Sequence, residues 1–321
     1  YHHLACTRIE YIFYKIFFMI SVCIISLGRD SIYRTLKSIF NQKINTPFEI
    51  VIVLQWNIDI NRIRDVSEIK IDIIRNKNER KYNNLISVRI YDYEKNRWFW
   101  YYRNRCVEHA NGDLLVWIDD DEWAINENWL KNLTSLIDEW RCNVVTSGYL
   151  VPLGYWYLSD SISLLWWPGG GAIGFEKMWK VNSDNTTNHL CSGNFAVKKN
   201  IFQNIRFLET LLHWWEDNAL ARDLAMSGEK IFYSKVATVY HQPRSFMQAI
   251  SWWKIRAKSY RSSSKISIYE EPVLTKKIRF LKNLFTFDSY FPGKIFCFSV
   301  MIFIVSLFSV KKMISFSNNV N

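Results

Sequence analysis

Residues 113–122 read DLLVWIDDDE, a short apolar run closed by three aspartates and a glutamate. An unbroken apolar run of this length reads as a strand covered on both faces, the kind parallel sheets contain. It stops abruptly at Asp119-Asp120-Asp121-Glu122, which puts carboxylates at the strand's carboxyl end. In open α/β sheets that is where ligands sit. Bringing so many acids together is costly unless a cation neutralises them. Oxygen ligands of this kind suit Mg2+ or Mn2+, which share their coordination with substrate phosphates. The plainer reading of the same residues is a solvated acidic turn, with Asp121 or Glu122 capping a helix that follows.

Working outward, strand and helix signals alternate. Ile20–Ser26 (ISVCIIS) is a second buried strand, followed by a turn at Gly28. Ser31–Phe40 places Ile32, Leu36, Ile39 and Phe40 at helical spacing. Glu49–Leu54 (EIVIVL) is another strand, and Ile69–Ile74 a weaker one. Arg103–Ala110 reads as a helix closed by Asn111-Gly112. Asn128–Trp140 is helical, and Cys142–Ser147, Asn194–Val197 and Ile231–Tyr233 are strands, with a helix at Asp217–Met226. This alternation predicts an α/β fold with a mostly parallel sheet flanked by helices. Tyr149–Asn188, rich in Trp, Gly and Ser, reads as a long loop or insertion.

The whole chain has 321 residues, 49% hydrophobic and 22% charged, and a net charge of +11. That excludes a disordered chain. Six scattered cysteines without a CxxC pair exclude a disulfide scaffold and a zinc ribbon, and predict reduced thiols in a reducing compartment. Tyr11–Ile20 carries Lys15 and is not read as a signal peptide. The 15 Trp suit sugar stacking or a membrane interface. Ile295–Val310 holds no charge and lies between Lys294 and the pair Lys311 and Lys312. It is shorter than the roughly 20 residues of a full span, and its flanking lysines could extend it by snorkelling. Residues 291–312 are expected to form a membrane-attached segment, with a buried terminal helix as the alternative. Ser245–Ser264 is basic and aromatic. It fits a helix lying on a membrane, or one packing Trp252 and Trp253 on the core.

Two further clusters carry chemistry. Trp214-Trp215-Glu216-Asp217 opens a helix. There the two carboxylates either complement the helix dipole or offer a general base beside an aromatic wall. His241 follows the strand-like Ala237–Tyr240 and is a candidate nitrogen ligand.

In this order, Tyr102-Arg103-Asn104-Arg105, the block Gly112–Glu122, Cys191-Ser192-Gly193-Asn194-Phe195, Glu216-Asp217 and Tyr240-His241-Gln242-Pro243 resemble the motifs of family 2 glycosyltransferases of the GT-A fold. The resemblance runs from about Ile20 to Arg261. The set is most similar to bacterial exopolysaccharide glucosyltransferases of the succinoglycan type. It implies a catalytic domain over 20–244, with a nucleotide-sugar half at 20–122 and an acceptor half at 123–244. The basic-aromatic region at 245–290 and the hydrophobic segment follow it.

The resemblance further implies an inverting transfer from a nucleotide-diphosphate sugar, a UDP-hexose, to a saccharide or lipid-linked saccharide at the cytoplasmic face of the cell membrane. Donor contacts would come from Ser26, Arg29, Gln55, Arg103, Asp119 and Asp120. Asp121, Asp119 and His241 would hold Mn2+ or Mg2+. Asp217 would be the base, oriented by Glu216, with Trp214, Trp215, Gly193 and Asn194 on the acceptor side. One departure stands out. The family's second strand often ends in an Asp that contacts the nucleotide, and here Gln55-Trp56-Asn57 stands there.

Two rival classes fit parts of the sequence. The basic balance would suit a nucleic-acid binder, but the densest charge cluster is acidic and no recognition motif is present, so no nucleic-acid partner is expected. A non-catalytic relative would not need the retained acids and His241. Gly169–Gly174 (GGGAIG) matches GxGxxG only formally, since Trp166-Trp167-Pro168 rather than a strand precedes it.

Overall fold

The computed structural model describes residues 18–55, 63–65, 83–93, 97–138, 142–165, 171–209, 216–263 and 280–317. Strand β1, Ile20–Ser26, lies beside β4, Leu114–Ile118, in parallel, with Ile20 opposite Leu114 and Cys23 opposite Trp117. Alternate residues serve opposite faces. Ile20, Val22, Ile24, Leu114, Val116 and Ile118 join one apolar cluster. Cys23, Ile25, Leu115 and Trp117 join the other. A strand covered on both sides needs apolar residues at both parities, which is why the sequence reads as a run. Each such side chain contributes roughly 1.5–3 kcal/mol of burial.

The remaining strands are β2 (Ile44–Leu54), β3 (Asn83–Asp92), β5 (Glu122–Ala124), β6 (Val144–Thr146), β7 (Tyr149–Leu150), β8 (Thr186–Thr187), β9 (Asn194–Lys198), β10 (Ile231–Tyr233) and β11 (Val239–His241). The main sheet runs β3-β2-β1-β4-β9-β6-β10-β8. The β3-β2-β1-β4 half is parallel throughout. The other half is mixed, because β9 is antiparallel to both β4 and β6. A small sheet, β5-β11-β7, stands beside it. The helices are α1 (Ser31–Phe40), α2 (Phe99–His109), α3 (Trp129–Asp138), α4 (Tyr157–Leu165), α5 (Phe175–Met178), α6 (Glu216–Met226), α7 (Phe246–Ser263) and α8 (Phe291–Ser317).

At the amino end of the parallel strands a buried carboxylate ties three segments together. Glu49 Oε1 accepts from Ser21 Oγ and from the Asn111 backbone N–H, both at 2.7 Å, and Arg89 Nη2 donates to Oε2 at 2.6 Å. Gly112 N–H donates to Ser21 Oγ at 2.8 Å. A Cβ on Gly112 would stand 2.6 Å from the Ser21 nitrogen and 2.7 Å from the Met19 carbonyl, so only glycine fits this close approach.

Several expectations shift. The third described strand is Asn83–Asp92, whereas Ile69–Ile74 falls outside the described residues. β2 begins at Ile44, before Pro47, and its pairing with β3 is irregular between Ile44 and Phe48, where proline cannot donate. α2 starts at Phe99, four residues ahead of the expected Arg103. The expected loop at 149–188 holds β7, α4, α5 and β8. Its helix α4 is short and serine-rich, which hid its period. α7 packs Trp252 and Trp253 on the core, the second of its two readings.

The hydrophobic terminal segment is helical, but Lys294 does not snorkel. Its ammonium is buried and donates to the carbonyls of Asn283 and Thr286 and to Asp288 Oδ2 at 2.9 Å. Among the described residues no helix is long and apolar enough to cross a membrane.

Candidate active site

The four acids after β4 point in different directions, and each meets a different partner. Asp120 turns inward, where its Oδ2 accepts from Ser26 Oγ at 2.8 Å and from the Leu27 N–H at 2.9 Å. It therefore joins the end of β4 to the loop after β1. Gly28, at φ +84°, lets that loop turn, and its N–H donates to Ser26 Oγ. Burial and then the charge of Asp121 push the Asp120 carboxyl up to about 7, against Arg29 and the two hydrogen bonds.

Asp121 lies between a cation and an imidazole. Arg29 Nη1 donates to its Oδ2 and lies 3.7 Å from Asp120 Oδ1. On the other side His241 Nε2 stands 3.6 Å from Asp121 Oδ1. Strand β11 brings the histidine there, since His241 pairs with Glu122 across the small sheet. Gln242 N–H closes the arrangement on the Asp121 carbonyl at 2.8 Å. Burial would push the Asp121 carboxyl up. His241 when its ring is protonated, with Arg29 and Arg244, outweighs burial and holds it below the ordinary carboxylate range.

His241 Nδ1 lies 2.7 Å from the Gln242 carbonyl. A carbonyl only accepts, so Nδ1 carries the proton. Burial lowers the ring's pKa against the pull of Asp121, so the ring is neutral and presents its Nε2 lone pair to a carboxylate. Two acceptors facing one another at this separation suit a shared cation. Among the described residues no group of three or more His, Cys, Asp or Glu side chains is arranged to hold a metal ion. The pair Asp121 and His241 offers one carboxylate and one ring nitrogen, donors that would suit Mn2+ or Mg2+.

Asp119 keeps 33% of its side chain exposed and is met by a different cation. Arg103 Nη2 donates to its Oδ1 at 3.2 Å, Nη1 donates to the Ser192 carbonyl at 2.9 Å, and Nε lies 3.7 Å from Glu216 Oε1. The guanidinium also rests over Trp117, 5.3 Å from the ring centre. Its side chain is only 3% exposed. Arg103 was expected among the donor contacts. Buried and engaged in this way, it is instead a strut between the carboxylate cluster and α6. Glu216 is buried, which raises its pKa, with Arg103 opposing. Asp217 opens α6 beside it, and its backbone neighbour Asn218 N–H donates to Oδ1 at 2.7 Å.

Glu122 lies deepest. Burial, then Asp119 and Asp121, push its pKa well up. Gly193 passes directly over it: a Cβ there would come within 2.6 Å of Glu122 Oε2 and 2.8 Å of Asp119 Oδ2. Asn194 was expected to meet an acceptor. It is fully buried instead, with Nδ2 donating to the Gly148 and Ala237 carbonyls and Oδ1 accepting from Trp129 Nε1. Gln55 closes the end of β2. Its N–H donates to the Ser26 carbonyl at 2.9 Å, while its buried Nε2 makes no hydrogen bond among the described residues. Trp214 and Trp215 lie outside the described residues.

Sequence reasoning missed three participants. Glu122 is a buried strand residue rather than a helix cap. Thr35 of α1 donates to the backbone carbonyls of Asp120 and Glu122, which holds the acidic turn in shape. Arg244 is a partly buried cation acting on Asp121, and its signal was a basic residue directly after His241-Gln242-Pro243.

The model of glycosyl transferase family 2 matches residues 66–206. No curated protein matches the chain. Among solved structures, the mannosyltransferase PcManGT from Pyrobaculum calidifontis, in complex with GDP-Man and Mn2+, is similar at 14% identity and a TM-score of 0.55. That match covers 92% of this chain and 80% of that one. S. aureus TarS 1-349 in complex with UDP-GlcNAc matches at 19% identity and 0.50, covering 89% and 81%. GalNAc-T7 with UDP, GalNAc and Mn2+ matches at 17% and 0.52. The shares there are 82% and 54%, so the chain spans about half its length. At these identities the likeness is one of fold.

Proposed function

We propose that the chain, a glycosyltransferase by its family 2 segment, moves a hexose from a nucleoside-diphosphate donor to a hydroxyl acceptor with inversion. The observation that carries this reading is the convergence of Asp121, His241 and Arg29 at the end of β4, beside the loop after β1. The two Mn2+-containing structures of the same fold support it, as do the GDP-Man and UDP-GlcNAc bound in relatives of that fold.

The donor diphosphate would lie over the Leu27–Gly28 turn, with Arg29 swinging from Asp121 to its oxygens. Asp121 and His241 would hold the divalent ion, which when bound neutralises charge on the departing nucleoside diphosphate. Gln55 Nε2 would donate to an acceptor atom on the base, uracil O4 or its equivalent, where a carboxylate could not.

Asp217 would accept the proton of the acceptor hydroxyl as its oxygen bonds to the anomeric carbon and the bond to the diphosphate oxygen breaks. One attack from the face opposite the leaving group inverts the centre, so an α-linked donor gives a β-linked product. Glu216, braced by Arg103, would keep the first turn of α6 in register with the cleft. A lipid-linked saccharide at the cytoplasmic face of the cell membrane, in surface polysaccharide synthesis, is the acceptor this reading favours. The aromatic and basic composition supports that place.

The test is a panel of nucleotide sugars with Mn2+ or Mg2+, scored for donor binding and transfer, run on the wild type and Asp217→Asn. The variant should bind donor normally and transfer at least about 100-fold more slowly. Normal transfer by Asp217→Asn would remove it from the base role.

A further inference from the structure

One edge of the molecule exposes large apolar side chains from three separate segments that the fold ties together. The loop after β7 exposes Tyr155 and Trp156, the latter 59%. The turn before α8 exposes Phe287, 81%, which packs on Phe291 at 4.4 Å between ring centres. α8 itself exposes Phe296, Phe303 and Leu307, which lie seven and four residues apart and so share one face. Phe296 stacks on Phe246 at 5.7 Å, next to the exposed Met247 of α7.

These segments are locked rather than loosely adjacent. Asp160 Oδ2 accepts from the Gly154 N–H at 2.9 Å and from the Tyr290 hydroxyl at 3.1 Å. Tyr157 stacks on Tyr290 at 5.5 Å, accepts from the Gly293 N–H, and donates to the Ser289 carbonyl at 3.1 Å. A Cβ on Gly293 would fall 2.2 Å from Ser161 Oγ, so α8 lies as close to α4 as glycine permits. The buried, fully bonded Lys294 completes the joint.

A soluble surface seldom keeps this many large apolar side chains bare on neighbouring segments without a partner. We infer that this rim seats the protein on one leaflet of an anionic bilayer, with Trp156 and Phe287 inserted among the headgroups. Two observations select the bilayer over a second copy. The net charge of +11 repels another copy of the chain and draws it to anionic lipid. The exposed side chains also include tyrosine and tryptophan, rings with a polar tip that settle at a water–lipid boundary.

The rim adjoins the site. Tyr149 of β7 packs its ring on His241 at 4.9 Å. Tyr155 on the rim is six residues further along, at most about 21 Å of extended chain. An acceptor anchored in the same leaflet would thus meet the cleft from the side. This last step rests on the function proposed above.

The test uses the full chain and flotation with two vesicle types, phosphatidylcholine alone and phosphatidylcholine with one third phosphatidylglycerol. Wild type should float with the anionic vesicles. The variant Trp156→Ser with Phe287→Ser should lose roughly tenfold or more in bound fraction, with an unchanged melting temperature because both side chains are exposed. Equal flotation of the variant would overturn the inference, as would a wild type that ignores anionic vesicles. So would a lipid-free dimer, seen by light scattering, that the double substitution dissolves. Binding of UDP and of GDP is measured on the same samples. Binding of either without flotation sinks this inference alone, whereas flotation with neither bound sinks the proposed function and leaves the rim in place.

Discussion

Arg103 Nε stands 3.7 Å from Glu216 Oε1 in the interior, and its Nη2 reaches Asp119 Oδ1 on the other side. One guanidinium therefore connects the acidic turn after β4 to the helix that carries the candidate base. Substituting Arg103→Met keeps the length of the side chain and removes the charge. Glu216 is then left buried without its cation, at a cost of about 3–5 kcal/mol for a broken buried pair. Chemical denaturation measures this. A variant as stable as the wild type would mean that the strut carries no weight.

Gly193 lies where Glu122 and Asp119 leave no room for a methyl group. Gly193→Ala should cost about 1–3 kcal/mol through strain. It should also displace Asp119, so transfer falls more than stability alone explains. Comparing transfer rates with unfolding curves separates the two effects.

On the function proposed above, Arg29 and a divalent ion would compete for the same carboxylate of Asp121. With Arg29→Gln, Mn2+ titrated without nucleotide should bind up to about fivefold tighter, the most a half-exposed ion pair offers. UDP should bind more weakly to the same variant. Effects of equal sign on both ligands would rule out the exchange.

Asp120 holds its proton in the folded state up to about pH 7, because burial outweighs its hydrogen bonds. In the unfolded chain the same group ionises near pH 4. Between these values the folded state binds one proton more, so stability falls as pH rises across the window. Glu122 and Glu216, also raised by burial, act in the same direction. Urea midpoints at pH 5 and pH 7.5 with chelator present should show the higher stability at pH 5. Asp120→Asn should flatten the difference, and an unchanged slope in that variant would contradict the assignment.

The parallel half of the sheet was legible because β1, β2 and β4 are buried on both faces and so read as apolar runs. β3 was not, since Asn83–Asp92 is an edge strand in which polar and apolar residues are interspersed. The motif residues were visible one by one, but their directions were not. Asp119, Asp120 and Asp121 look equivalent in sequence, yet one meets Arg103, one Ser26 and one Arg29 with His241. Asn194 looked like a ligand contact and is an interior joint. Its neighbours in the chain give no hint of the Gly148 and Ala237 carbonyls it bonds.

The sequence alone determined that a buried strand ends in acids, that helices and strands alternate around it, and that a histidine and a second acidic pair follow in order. These are properties of local period and spacing, which the chain carries without folding. The tertiary structure alone decided which acid meets Arg29 and His241, that Arg103 is a buried strut, and that apolar side chains from separate segments are exposed together. Those depend on contacts between residues about a hundred positions apart, such as Arg29 with Asp121 and Asp160 with Tyr290. Such pairings are set by how the elements pack, and no local pattern encodes them.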